Sequence, residues 1–376
     1  MKESALYIHI PFCDHKCIYC DFYSIITSDN IQSFLSALKN EISYYSKLYR
    51  SNRKFSSIFF GGGTPSLMEP EYLEQIILHL KNNFDVDENV EVTMETNPGT
   101  VEKEKLKSFK QIGINRISIG IQSFDDDDLK FLTRIHNKQT ATQTVYCAAE
   151  VGFENLSVDL IFNLPNQTKE KWLTNLKEAV NLPIKHLSAY SLILEQGTIL
   201  NKMVLDGKVN IQDEDYDADL YETTIDFLTR NGFEQYEVSN FTKPGYECIH
   251  NNAYWKYRDY LGFGPSAHSF TDGKRWWNFT SLKKYISEVE LNQNALMNFE
   301  TLNKTQIHDE YLMLALRSSG IDVNEYKKMF GESWIKKNYT YLKELSITGN
   351  ILIDDKNIKL TPKGYAVCDE ILKNIL

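Results

Sequence analysis

A chain of 376 residues is long for one domain, so a large domain with a smaller companion is the expected division. Its 42% hydrophobic and 24% charged content is ordinary for a globular protein, and a net charge of −10 excludes a general nucleic-acid binder, which needs a basic face. No apolar run is long enough for a membrane span, although peripheral association with a membrane stays open, as does the oligomeric state. Met1-Lys2-Glu3-Ser4 run straight into a strand and leave no room for a signal peptide. Six cysteines, three of them clustered, suit metal binding in a reducing compartment better than a disulfide framework, so a cytoplasmic location is expected.

From residue 5 to about 195, short β-branched or aromatic runs alternate with amphipathic stretches. Strands are expected at 6–10, 57–60, 92–95, 116–121, 156–161 and 186–191, and helices at 31–45, 71–82, 102–111, 140–151 and 169–180. Repeated β–α units imply parallel strands joined by crossover helices. Six of them make an α/β fold of the partial, TIM-like (β/α)6 kind, with its site at the C-terminal strand ends.

Immediately after the first strand comes Cys13-Asp14-His15-Lys16-Cys17-Ile18-Tyr19-Cys20. Three thiolates so spaced can hold three corners of an iron–sulfur cube. Asp21 and Phe22 follow instead of a fourth cysteine, which leaves one iron open to a small molecule. A structural zinc site is the other reading, with His9 or His15 as fourth ligand.

Polar residues recur at the later strand ends: Gly61-Gly62-Gly63-Thr64, then Glu95-Thr96-Asn97-Pro98, Gln122-Ser123, and Asp159. The glycines make either a tight turn or a place where backbone N–H groups meet an anion. Each polar residue alone is as good a cap or turn residue; their recurrence at one topological position points to a common mouth. Arg134 is either part of that mouth or a solvated helix charge paired with Asp125–Asp128. That aspartate run reads as a helix first turn, favoured by the dipole.

Residues 214–231 form an acidic amphipathic helix, and Cys248-Ile249-His250-Asn251-Asn252-Ala253-Tyr254-Trp255 follows. An imidazole beside a thiol and two aromatics is either a hydrogen-bonded core histidine or an iron ligand to a flat apolar group, with Cys248 as a further thiol. Residues 281–303 read as a connection. Residues 304–376 read as three helices, a hairpin and one closing helix, a small winged-helix-like α+β domain. Acidic and basic residues balance there, so a lid or docking role over the barrel mouth is expected rather than DNA binding.

Cys-x3-Cys-x2-Cys with Tyr19 before the last cysteine resembles the radical S-adenosylmethionine (SAM) superfamily. The longer run from Tyr7 through Phe22 is similar to the group holding oxygen-independent coproporphyrinogen III dehydrogenases and HemW-type heme chaperones. That resemblance implies a [4Fe–4S] cluster on Cys13, Cys17 and Cys20, with SAM on the open iron and its cleavage to a 5′-deoxyadenosyl radical. Such chemistry belongs to the cofactors, and the protein supplies binding and orientation. It also implies Gly62, Gly63 and Thr64 at the amino end of SAM, and Arg134 at its carboxylate. Glu95, Gln122 and Asp159 would surround the rest, with Tyr7 and Tyr19 as aromatic contacts. The string beginning at His250 resembles a heme-binding motif. The dehydrogenases carry an N-terminal extension and a further cysteine two places after the third. Here Cys13 lies near the start and Phe22 takes that further position, which favours the chaperone group over the decarboxylating enzyme. Its members are implied to carry heme to apo-hemoproteins such as respiratory enzymes. The units expected are 1–280, 281–303 and 304–376.

Overall fold

The alternation of apolar runs and amphipathic stretches folds as six parallel strands in a computed structural model that describes residues 1–27 and 29–376. In chain order the first half holds β1 (Lys2–Ile10), α1 (Ile31–Tyr49), β2 (Arg53–Gly62), α2 (Pro70–Asn83), β3 (Val86–Thr96) and α3 (Lys103–Gln111). Next come β4 (Arg116–Gln122), α4 (Asp126–Phe131), α5 (Lys138–Glu150), β5 (Asn155–Phe162), α6 (Lys169–Val180) and β6 (His186–Ser191). Neighbours from β1 to β6 pair in parallel, as crossover helices require. The aspartate run is a helix start: the Asp125 carboxylate accepts from the amides of Asp127 and Asp128. Thr168 caps α6 in the same way.

Strand period decides which side chains reach the barrel interior. In β4, Ile117, Ile119 and Ile121 are fully buried in the main core, while Ser118, Gly120 and Gln122 line a cavity. A bulge in the β4–β5 register lies between Gly120 and Gln122, and Gln122 has a left-handed φ of 70°. Bulges re-aim side chains, and here the re-aimed one faces the cavity.

The sheet runs beyond the six expected strands. α7 (Ile199–Leu205), α8 (Glu214–Arg230), β7 (Glu234–Gln235), β8 (Asn240–Thr242) and α9 (Ile249–Trp255) follow β6. After them come β9 (Asp259–Phe263), β10 (His268–Thr271), β11 (Lys274–Asn278), α10 (Leu282–Asn292) and β12 (Leu296–Thr301). β9 joins the outer edge of β1 in parallel; β10 to β12 continue antiparallel, and β8 and β7 extend the β6 edge. β7, β8 and β10 are only two to four residues long, and β9, β11 and β12 carry no two-residue alternation of apolar and polar residues, which is why sequence pattern misses them. Residues 281–303, expected as a connection, instead form α10 and the edge strand β12.

One buried carboxylate ties this extension to the barrel. Glu41 of α1 is fully buried and accepts from Asn278 Nδ2 (2.6 Å), the Gly264 amide (3.0 Å) and the Tyr285 hydroxyl (2.6 Å). Burial pushes its pKa up to about 7, against the pull of those three donors. A folded pKa above the unfolded one means stability is lost as pH rises from about 4.5 through about 7. Tyr285→Phe removes a donor from the ionised form, so it will destabilise by roughly 1–3 kcal/mol. Urea midpoints will show a larger deficit at pH 8 than at pH 5; equal deficits would deny Glu41 its charge.

The chain ends in α11 (Lys304–Leu316), β13 (Ile321–Asp322), α12 (Val323–Phe330), α13 (Ser333–Ile347), β14 (Ile351–Ile353), β15 (Asn357–Leu360), α14 (Pro362–Ala366) and α15 (Cys368–Ile375). The strand order β13-β15-β14 behind three helices is a winged-helix arrangement with its own core, Leu312, Tyr326, Ile358 and Leu372 among it. The single closing helix expected there is broken at Val367, whose φ of −120° is not helical. This module packs beside α8 and α9, through Tyr257 to Glu310 (3.0 Å) and Val238 to the Arg317 carbonyl (2.9 Å). Among the described residues none beyond Glu195 lines the barrel cavity, so the expected lid over the mouth is not what the module forms.

Candidate functional site

The cysteine loop is pinned at several points. The Cys13 amide donates to the Ile25 carbonyl (3.0 Å) and Ile25 to Pro11 (2.8 Å). Ile18 donates to Thr133 Oγ1 (3.2 Å) and accepts from the Leu200 amide (2.9 Å). Cys13, Cys17 and Cys20 thereby line a cavity of about 370 Å³ at the C-terminal strand ends. Tyr19, Gly62, Gly63, Thr64, Glu95, Gln122, Arg134 and Asp159 line it with them. Burial pushes the Cys17 and Cys20 thiols up, and the positive charges of Arg134 and Lys16 respectively pull them back. A bound metal would displace those protons, since the thiolate is the ligand.

The glycines bring backbones close, and of the readings offered by the sequence only the free N–H groups for an anion fail. A Cβ on Gly62 (φ 109°) would lie 2.6 Å from the His9 ring, and one on Gly63 would lie 2.5 Å from the Phe12 carbonyl. Their amides are already engaged: Gly62 donates to Glu95 Oε2 (3.2 Å), Gly63 to Ile10 and Thr64 to Phe12. The triple glycine lets β1 and β2 close together beneath the cysteine loop; it does not offer an anion free N–H groups.

Charge inside the cavity is strongly biased. Removal from water, and then the neighbouring Asp159, push Glu95 up to about 8. Desolvation also raises Asp159, against hydrogen bonds from Ser188 and Ser118, whose hydroxyl donates at 3.1 Å. Arg134 is half-buried between these walls. Its Nη2 donates to Asn97 Oδ1 (2.8 Å) and the Gly120 carbonyl (2.6 Å), Nη1 reaches Cys17 Sγ at 3.7 Å, and the buried Nε has no partner. The aspartates that were the other expected partners are taken elsewhere, Asp125 by Lys171 (3.1 Å) and Asp128 by Ser123 and Gln167.

Asn97 is the residue that pattern reading did not single out. It donates to Thr64 Oγ1 (2.8 Å) while accepting from Arg134, so it couples the second strand end to the guanidinium. Its position two residues past Glu95, just beyond the end of β3, is the signal that would find it. Ser118 and Tyr190 also line the cavity and follow from the same period-two rule.

A zinc site loses one of its two candidate fourth ligands in this geometry. Both His9 nitrogens are engaged, by the Tyr7 hydroxyl (3.1 Å) and the Tyr23 carbonyl (2.9 Å), and burial lowers its pKa to about 4. His15 Nε2 faces Thr133 at 3.4 Å. Among the described residues no three Cys, His, Asp or Glu donors converge on a single-ion position. Three thiols lining one cavity suit a cluster, which needs no fourth protein ligand, better than a structural zinc, which does.

Two of the expected residues lie apart from this cavity. Tyr7 sits one layer below it, stacked on Phe59 and bonded to His9, and does not line it. His250, expected as a heme ligand, is on α9, which closes the opposite end of the barrel. Its Nδ1 pairs with Ser57 Oγ (2.9 Å), its Nε2 with the Tyr254 hydroxyl (2.9 Å), and its ring stacks on Phe59 at 4.8 Å. It is 1% exposed, and burial lowers its pKa to about 3. In this conformation His250 is a neutral strut buried in the barrel floor, out of reach of a ligand as large as heme. Cys248 caps the same helix beside Glu91 and is likewise buried.

The comparisons with known proteins fit this geometry. The family described as "Radical SAM superfamily" matches residues 7–179. The heme chaperone HemW of Lactococcus lactis is 33% identical over 378 residues, covering 100% of this chain and 98% of that protein. The heme chaperone HemW of Bacillus subtilis is 34% identical, with 98% and 97% covered. Among solved structures, the coproporphyrinogen III oxidase HemN of Escherichia coli superposes with a TM-score of 0.84 at 24% identity, over 100% of this chain and 90% of that one. At that identity the second likeness is one of fold, whereas a third of all residues shared end to end marks common descent. The chain belongs to the radical SAM superfamily and, within it, to the HemW family.

Proposed function

We propose that this protein is a heme chaperone: it holds a [4Fe–4S] cluster on Cys13, Cys17 and Cys20, binds SAM in the adjoining cavity, and carries heme to apo-hemoproteins, respiratory enzymes among them, in the cytoplasm. The observation that carries this reading is the meeting of three thiols, a guanidinium and two carboxylates in one cavity, in a chain that matches heme chaperones along its whole length. The bound cofactor pair supplies one-electron chemistry on SAM. The chain's own residues orient it: the unpartnered Nε–H of Arg134 is free to donate to a carboxylate, and Glu95 and Asp159 suit positive charge. Phe22 is 61% exposed and supplies no further thiol.

The direct test is anaerobic reconstitution followed by assay with hemin and with coproporphyrinogen III. Hemin uptake without decarboxylation is expected. Conversion of coproporphyrinogen III with no heme uptake would make the protein the enzyme instead.

Two further outcomes test the SAM cavity. Arg134→Ala will weaken SAM binding more than about tenfold, a loss of roughly 2–5 kcal/mol for a desolvated charged contact. Parental affinity by calorimetry in both Arg134→Ala and Asp159→Ala would remove SAM from this cavity. Glu95 is protonated below about pH 8 in the free protein, and a cationic ligand favours its ionised form. SAM binding at neutral pH will therefore release a proton, and affinity will rise with pH towards 8. Calorimetry in two buffers of different ionisation enthalpy reads this directly; identical heats would refute it.

A further inference from the structure

His250 and Cys248, the two donors named in the segment expected to bind heme, are both buried. One groove combines size, apolar walls, charge and a metal donor. It lies in the C-terminal module, between the start of α11, the end of α12 and the first turns of α13, with a volume of about 740 Å³. That is within the range of small-molecule sites. Met329, Phe330 and Trp334 give it apolar surface, and Met329 is 47% exposed. Lys304 and Lys337 are the charged groups on its lining, which holds no carboxylate, in a chain whose net charge is −10. Nearby Lys327 and Lys336 both pair with Glu332 at 3.3 and 2.9 Å. Lys304 and Lys337 are exposed and have no ion pair among the described residues.

At the inner wall stands His308. Its Nδ1 lies 3.0 Å from Asp309 Oδ1 and its Nε2 2.8 Å from the Tyr326 hydroxyl. A carboxylate accepts only, so Nδ1 carries the proton and the lone pair is on Nε2. Metal-binding histidines are held in this way by a carboxylate on the other nitrogen. Phe330 and Trp334 stand edge-on to the imidazole at 5.2 and 6.1 Å.

We propose that this groove is the heme-carrying site, a proposal that rests on the reading of heme as cargo. A flat apolar ring system with two carboxylates and a central iron meets apolar walls, two unpaired ammonium groups and one oriented imidazole. On binding, the Tyr326 O–H···Nε2 hydrogen bond breaks and an Nε2–iron bond forms. Tyr326 keeps its proton, and no electron changes hands. Proteins use exposed contacts of this kind for cargo that must be surrendered, because surface ion pairs are individually weak.

The test titrates the full, cluster-reconstituted chain with hemin and with iron-free protoporphyrin IX, followed by porphyrin absorbance. Lys304→Glu with Lys337→Glu changes only exposed side chains, and it will weaken both ligands about tenfold. His308→Ala will weaken hemin by tenfold or more and leave protoporphyrin unchanged, since only the iron uses Nε2. The visible cluster absorbance will persist in both. Parental hemin binding in both variants overturns the proposal. So does loss of association with an apo-hemoprotein while hemin binding stays parental, which would make the groove a protein-docking surface. Failure of the parent to take up hemin would remove the cargo reading itself, and this site with it.

Discussion

Cys17→Ala protein, reconstituted anaerobically, will lack the broad visible absorbance of an iron–sulfur cluster. Of the three thiols Cys17 is the buried one, and it faces the Arg134 guanidinium at 3.7 Å. A cube held by three corners cannot lose one and find a substitute in this cavity. His9 is buried and bonded at both nitrogens, and the remaining cysteines lie elsewhere, Cys147 on α5, Cys248 beneath the barrel and Cys368 in the C-terminal module. Cys13→Ala and Cys20→Ala will behave alike, while the fold, held by the main core, keeps its far-ultraviolet spectrum. Iron analysis of the anaerobically purified parent gives the reverse check. Stoichiometric zinc in place of iron would sink the cluster assignment, whatever the fold resembles.

His250→Ala is the second large effect, and it will be one of stability. Truncation strands the Ser57 and Tyr254 hydroxyls and leaves a void under Phe59, at a combined cost of roughly 2–5 kcal/mol. The urea midpoint will fall accordingly. SAM affinity will fall as well, because Phe59 and Tyr7 support Gly61 and Glu95 from below. Hemin affinity, measured where the variant is still folded, will stay near the parent's. A variant with a parental midpoint and a selective loss of hemin binding would return His250 to the role of ligand.

The contrast between these two predictions shows what the sequence displays and what it hides. Parallel β–α repeats are legible because each unit spans enough residues to show its period, and the six strands lie where alternation places them. The cysteine loop is legible because ligand spacing is local. Asp159 is legible as a strand-end polar residue, whereas Arg134 could be placed only through resemblance, since what brings it there is the fold and not spacing. What the N–H groups of Gly62, Gly63 and Thr64 meet is hidden for a related reason. A glycine run shows that backbones come close, but not whether the close partner is a ligand or another strand. Likewise, a histidine among aromatics looks the same in sequence whether it faces a cargo or fills a floor. Burial tells the two apart, and it depends on distant residues such as Ser57 and Phe59, which pack against His250.

That floor has a consequence for traffic. The α9 helix seals the lower end through His250, Glu91 and Tyr236, which itself bonds His186 of β6. With the floor closed, Glu95 and Asp159 are reached from the mouth, whose rim holds the cysteine loop on one side and residues 190–195 on the other. A blind-ended chamber of this kind has no flow-through: its last arrival is its first departure. Any body resting across the rim, a docked client included, acts as a stopper on all that lies deeper, so SAM exchange should slow in proportion to the time the client stays.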